Sequence, residues 1–293
     1  MAVYTHITDA QVRTLLALYN IGELQSLKGI EAGVENSNYR VETTGEVFIL
    51  TLYEKRVRPD DLPFYLGLMS HLEKAGFPCP KVIAAKDGST LQTIEGRPAA
   101  LVSFLKGAEA IDITAQHCFK VGQRLAQLHH LGRDFPLTRE NDLSLPGWHH
   151  LHDICTDKVS EIFPTLPGFI KQELDWLDRH WPTQLPSSAI HAELFPDNVF
   201  FDDDQLIGVI DFYFACTDFL AYDLAIAANA WCFDEEQYCV DARFEALLEG
   251  YNSIRQLTAD ERRALPILLR GSALRFLLTR AHDWVFPQEG AIV

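Results

Sequence analysis

HAELFPDNVFF, residues 191–201, carries a histidine, a glutamate, a proline and an asparagine directly into a short apolar run. Pro196 denies the segment a helix, so it reads as a loop that feeds a strand. The strand continues into VFFDDDQLIGVIDF, residues 199–212, a hairpin pattern with a polar turn at Asp202 to Gln205. If 199–201 pairs with 206–210, the chain before Val199 lies alongside the chain after Ile210. Asn198 and Asp211 then share the open end of one hairpin, and Glu193 stands five residues before Asn198 in the loop.

An Asp and an Asn held together offer hard oxygen ligands to Mg2+, a cation that keeps several waters and completes its shell with substrate phosphates. A further carboxylate beside them can orient a hydroxyl and take its proton, which is a layout for phosphoryl transfer. The catalytic loop of protein kinases, H-R-D-L-x-x-x-N, places its acid two residues after His and its Asn five residues after the acid. His191, Glu193 and Asn198 have those intervals. Taken singly, any of them is equally at home in a solvated loop or strand end.

Outward from the hairpin, the chain divides in character. Thr8 to Asn20 has a capping threonine and apolar residues at helical spacing, closed by Gly22. LKGIEAGV, NYRVETT and EVFILTLYE read as strands, DLPFYLGLMSHLEKA as a helix ending at Gly76, and FPCPKVI and PAALVSFL as two more strands. ITAQHCFKVGQRLAQLHHL sets Cys118, Val121, Leu125 and Leu128 on one helical face, and GFIKQELDWLDRHW and the segments from Ala221 onward continue in that style. The expectation is an α+β protein of two lobes: residues 1–105 built on a small antiparallel sheet, and 106–293 mainly helical.

The composition narrows the class. With 293 residues, 47% of them hydrophobic, the chain fills a sizeable core, and its net charge of -16 argues against nucleic acid or an anionic membrane as partner. No run approaches the roughly eighteen apolar residues of a spanning helix, and the first residues lack a basic region followed by an apolar core, so the expected location is the cytoplasm. Six scattered cysteines without a C-x-x-C pair read as reduced thiols in packing roles. P-loop and Rossmann fingerprints are missing.

HAELFPDN resembles the H-G-D-x-x-x-x-N loop, and IDFYFACTDFLAYDLA the I-D-[WF] segment ending in Y-D-L-A, of the aminoglycoside phosphotransferase and choline-kinase-like enzymes. The resemblance runs from about Gly29 to Trp284 and implies the two-lobed protein-kinase-like fold with ATP and Mg2+. GVENSNYRV, FILTLYE, NAWCF and GSALRFLLTRAHDW are most similar to the homoserine kinases of the kinase-like type, which implies L-homoserine as acceptor and a place in threonine biosynthesis. Carried over residue by residue, the resemblance makes Glu193 the catalytic acid of the loop and Asn198 and Asp211 the metal ligands. His191 braces the loop, and Asp223 supports the site or touches substrate or metal. Gly33, Ser37 and Asn38 fall in the nucleotide-covering loop, and the adenine is expected near Ser103 and Leu105.

Three departures accompany the resemblance. Glu193 replaces the usual Asp and is one methylene longer. Thr51 stands where a phosphate-pairing Lys belongs, with Lys55 or Arg56 as substitutes, and Cys216, Thr217 and Asp218 stand where many relatives are glycine-rich. Homoserine presents an ammonium and a carboxylate, for which Arg275, Arg280 and Asp283 are the candidate ligands; a solvated helix face accounts for the same three residues. His129, His130, His282 and Trp231 read as packed or half-exposed helix residues. Two alternatives remain open at this point: the same fold acting on an aminoglycoside, choline or methylthioribose, and a nucleotide-binding module without turnover.

Overall fold

A computed structural model describes residues 4–30, 36–54 and 57–287. Gly33, Lys55 and Arg56 therefore lie outside the described residues. The chain forms two compact units, one comprising the described residues up to Lys106 and the other Gly107–Pro287.

The first unit opens with helix α1 (Asp9–Leu16), capped by a reciprocal Thr8–Gln11 box. The helix stops earlier than its apolar spacing predicts, because Leu18 and Tyr19 bond three residues back and tighten the last turn. Strands β1 (Leu24–Gly29), β2 (Ser37–Thr43) and β3 (Val47–Leu52) follow, then α2 (Leu62–Lys74), β4 (Gln92–Ile94) and β5 (Arg97–Ser103). All pairings are antiparallel, in the order β1-β2-β3-β5-β4. The inward residues of β2 and β3 (Tyr39, Val41, Phe48, Leu50 and Leu52) pack with Val12, Leu15 and Leu16 of α1 in one core. Each such side chain contributes on the order of 1.5–3 kcal/mol. FPCPKVI, expected as a strand, forms only an isolated bridge at Val82 to Val102, since Pro78 and Pro80 have no N–H for a ladder.

The second unit comprises α3 (Ala115–Gly132), α4 (Leu145–Ile162), α5 (Leu166–His180), β6 (Ser187–Ile190), β7 (Val199–Asp202), β8 (Gln205–Val209), β9 (Cys216–Phe219), α6 (Leu220–Trp231), α7 (Asp241–Ile254) and α8 (Ala259–Val285). Helix α6, LAYDLAIAANAW, is apolar nearly all round and runs through the centre. Cys118, Val121, Leu125 and Leu128 of α3 are fully buried, as their spacing predicts. Helices α3 and α7 approach closely enough that a Cβ at Gly122 would overlap the Leu247 carbonyl and one at Gly250 the Phe119 carbonyl. All six cysteines are free thiols; Cys239 alone among them is exposed, against the expectation that each packs inside.

The hairpin of the opening stretch is present: β7 pairs with β8 from Val199–Val209 to the turn at Asp202–Gln205. Strands β6 and β9 pair antiparallel with Ile190 opposite Cys216, so the loop after β6 and the segment before β9 leave the same end of that ribbon.

Candidate active site

Residues 191–195 are irregular and Pro196–Asn198 form one 3-10 turn, with Pro196 at its start where no N–H is needed, and the main-chain groups of the loop are provided for one after another. The His191 and Ala192 N–H groups donate to Asp223 Oδ2 and Oδ1, each at 2.8 Å. The Ala192 carbonyl accepts from Arg275 Nη1 at 2.6 Å. Glu193 N–H donates to His191 Nδ1 at 3.3 Å, and its carbonyl accepts from Phe195 N–H at 2.8 Å and Asn198 Nδ2 at 2.9 Å. The Leu194 carbonyl takes the Trp231 indole N–H at 2.8 Å. Asn198 closes the loop, its carbonyl accepting from Ile210 N–H at 3.0 Å. A loop tied this densely is preorganised, which is what positioning of a reacting group requires.

The Asn198–Ile210 bond extends the hairpin ladder by one step, so Asn198 and Asp211 stand at its open end as the pattern predicts. Asp211 adopts a left-handed conformation, φ 62° and ψ 65°, which turns the chain sharply out of β8. Because Asn198 Nδ2 is committed to the Glu193 carbonyl, its Oδ1 is the amide atom left to face a cation. An amide oxygen with the Asp211 carboxylate is a hard-oxygen donor set, and it fits Mg2+.

His191 is fully buried and spans the loop. Its Nε2 donates to the Ile210 carbonyl at 2.9 Å and Nδ1 accepts from Glu193. Burial drives its pKa below the ordinary imidazole value despite the nearby Asp223 charge, which keeps the ring neutral in the tautomer this bonding requires. Asp223, with no exposure at all, touches the loop through main-chain amides. Burial alone would raise its carboxyl pKa, but the hydrogen bond from His129, the electrostatic influence of the two imidazoles and the His191 amide outweigh that, and the net direction is downward.

His129 and Trp231 do more than the sequence suggested. His129 Nε2 donates to Asp223 Oδ2 at 3.0 Å, and Tyr251, 2.8 Å from Nδ1, is itself held by Arg255, which pairs with the buried Glu261 at 2.9 Å. The signal for His129 was its place on the same buried face of α3 as Leu125 and Leu128; an ionisable ring there needs a partner.

The tentative acceptor ligands separate. Arg275 is 1% exposed and its Nη1 is bound to the loop, which sets it apart from the other two. Arg280 is exposed, its guanidinium 5.6 Å from the centre of the Phe276 ring, and that ring packs at 4.8 Å against Phe195 of the loop. Asp283 is half-buried on the same helix beside His282.

In the first unit, Ser37 is fully buried, and its hydroxyl accepts from the Tyr4 and Thr5 amides and donates to Glu54 at 2.7 Å. Every direction around that oxygen is taken by the fold, so the Ser37 hydroxyl is not free to meet a phosphate. Asn38 Oδ1 accepts from Thr51 Oγ at 2.7 Å, so the residue in place of the expected Lys braces β2 against β3. Ser103 pairs with Lys81 through main chain and hydroxyl, and Leu105 is half-buried at the end of the unit.

A strand-flanked loop with a carboxylate, followed at fixed distance by an Asn and an Asp, in the mainly helical unit of a chain that also has an antiparallel sheet unit, is the arrangement of a kinase-like phosphotransferase. The model of the phosphotransferase enzyme family matches residues 26–257, and the chain belongs to that family. Over its whole length it is 51% identical to a homoserine kinase of Paramagnetospirillum magneticum and 52% identical to one of Rhizobium meliloti, covering 92% and 90% of those proteins. Among solved structures it is similar in fold to the amicoumacin kinase hAmiN, in complex with AMP-PNP, Ca2+ and Ami. The TM-score is 0.75 at 14% identity, over 98% of this chain and 89% of that one. Among the described residues no helix is long and apolar enough to cross a membrane.

Proposed function

We propose that this chain is an ATP-dependent kinase that transfers the γ-phosphate to the hydroxyl of L-homoserine, as a step of threonine biosynthesis in the cytoplasm. The observation that carries the reading is the tied loop 191–198, which carries Glu193 and Asn198 and is bonded, at the open end of the hairpin, to the chain that runs into Asp211. Full-length similarity to homoserine kinases supports the acceptor.

Asn198 and Asp211 would hold Mg2+, which would supply neutralisation of the phosphate charge. Glu193 orients the acceptor hydroxyl in line with the γ-phosphorus. The new O–P bond forms as the bond to the bridging β–γ oxygen breaks, ADP leaves, and the hydroxyl proton passes to the Glu193 carboxylate. The neutral His191 and the Asp223 carboxylate hold Glu193 in place and take no part in bond making. Arg280, linked to the loop through Phe276 and Phe195, serves the homoserine carboxylate, and Asp283, one turn further along α8, the ammonium. Asn38, Ser103 and Leu105 remain the nucleotide-side candidates, together with Gly33.

The test is ADP release with Mg·ATP against a panel of L-homoserine, L-serine, L-threonine, choline, methylthioribose and kanamycin. Selective turnover of homoserine supports the reading; selective turnover of another alcohol, or none with ATP bound, removes it. Arg280→Gln is expected to raise KM for homoserine about tenfold or more with little change in kcat.

A further inference from the structure

Arg275 is an expensive residue to keep. A guanidinium with 1% exposure loses most of its hydration, and the hydrogen bond from its Nη1 goes to a main-chain carbonyl rather than to a carboxylate. Its cation lies 4.8 Å from the centre of the Phe276 ring and 5.9 Å from that of Phe214. Asp218 and Tyr222 stand near enough to feel the charge, which opposes the upward push that burial gives both of them.

The carbonyl that Arg275 holds belongs to Ala192, whose φ is 63°. A residue other than glycine in that left-handed region is strained and persists only where its neighbours over-determine it. Here α6 supplies one restraint, Asp223 Oδ1 on the Ala192 N–H, and α8 the other, Arg275 on the carbonyl. The carbonyl held by Arg275 is part of the peptide that leads into Glu193. Without that hold the strained residue can relax, and the peptide plane and the carboxylate beyond it turn together.

We infer that Arg275 is a positioning residue for phosphoryl transfer: it locks the Ala192–Glu193 peptide so that the Glu193 carboxylate points at the acceptor hydroxyl, and it does not bind the acceptor. The inference rests on the kinase reading of this site, and it explains why a cation is buried in the middle of α8.

The experiment compares wild type with Arg275→Met and Arg275→Lys in three measurements. These are kcat and KM for ATP and homoserine, turnover of 3-aminopropan-1-ol, which lacks the carboxylate, and hydrogen exchange of the peptide covering residues 190–198. For Arg275→Met the expected result is a kcat about a hundredfold lower with both KM values within about threefold of wild type. The relative loss is the same with the amino alcohol, exchange is faster at 190–198 while α3 keeps its protection, and Arg275→Lys recovers part of the rate. A homoserine KM raised tenfold at unchanged kcat, with the defect vanishing for the amino alcohol, overturns the inference and makes Arg275 an acceptor ligand. If wild type turns over neither alcohol, it is the kinase reading that fails, and unchanged exchange at 190–198 in the variants then overturns the positioning role by itself. If Arg275→Met does not fold, Arg275→Lys and Arg275→Gln carry the same comparison.

Discussion

Replacing Glu193 by Asp restores the residue most of the family uses, and it is nonetheless expected to slow this enzyme. The change draws the carboxyl group back by about 1.5 Å, one carbon–carbon bond. To recover that reach, the backbone at Glu193 has to advance. Advancing breaks the bonds of its N–H to His191 and of its carbonyl to Phe195 and Asn198, together with the bond from Arg275 to Ala192. At roughly 1 kcal/mol each these amount to about 4 kcal/mol. A misplacement on this scale lowers a rate about a hundredfold, which corresponds to roughly 2.7 kcal/mol of barrier. Staying put is the cheaper response, so the loop keeps its shape and kcat falls about a hundredfold. Glu193→Gln keeps the length but cannot take a proton, and is expected to fall by about a hundredfold to ten thousandfold. Steady-state ADP release with saturating Mg·ATP and homoserine measures both, and nucleotide affinity by calorimetry should be unchanged. If Glu193→Asp is as fast as wild type, the loop yields more easily than its bonding implies, and the argument that it is preorganised is wrong.

Asp223→Asn leaves one acceptor oxygen for three buried donors, His191 N–H, Ala192 N–H and His129 Nε2, and is expected to cost about 3–5 kcal/mol. A urea unfolding midpoint equal to wild type would remove Asp223 as the anchor of the loop. His191, with its pKa held by burial below the ordinary imidazole value of 6.5 in the folded state, binds fewer protons folded than unfolded, so stability falls as pH drops below about 6.5 toward the folded pKa. In His191→Asn that limb of the stability–pH curve should flatten, whereas Asp223, whose ordinary value is 3.8, loses its contribution only at lower pH. An unchanged limb in His191→Asn would mean that another group titrates there. Gly122→Ala forces α3 away from α7 at the Leu247 carbonyl and is expected to destabilise by roughly 1–3 kcal/mol; a melting temperature equal to wild type would show that the helices can part without loss.

What the sequence made legible was local in origin. The hairpin follows from β-branched and aromatic runs about a polar turn, and its open end places Asn198 and Asp211 by register alone, without knowledge of any other element. The buried face of α3 likewise follows from spacing. Ser37 escaped because its partners, Tyr4, Thr5 and Glu54, lie far off in the chain, and a serine at a strand start looks the same whether it faces a ligand or the interior. Arg275 escaped for a related reason. Arginine at helical spacing from another arginine and an aspartate reads as a charged face, and nothing within α8 says that this position meets the carbonyl of Ala192, eighty-three residues earlier. Buried charges are set by which elements meet, so a sequence can reveal that a loop carries chemistry while remaining silent about what holds the loop. Here that silence covers Arg275, His129 and Trp231. Each touches residues 191–198 or the Asp223 that anchors them, and none belongs to the motif that made the loop recognisable.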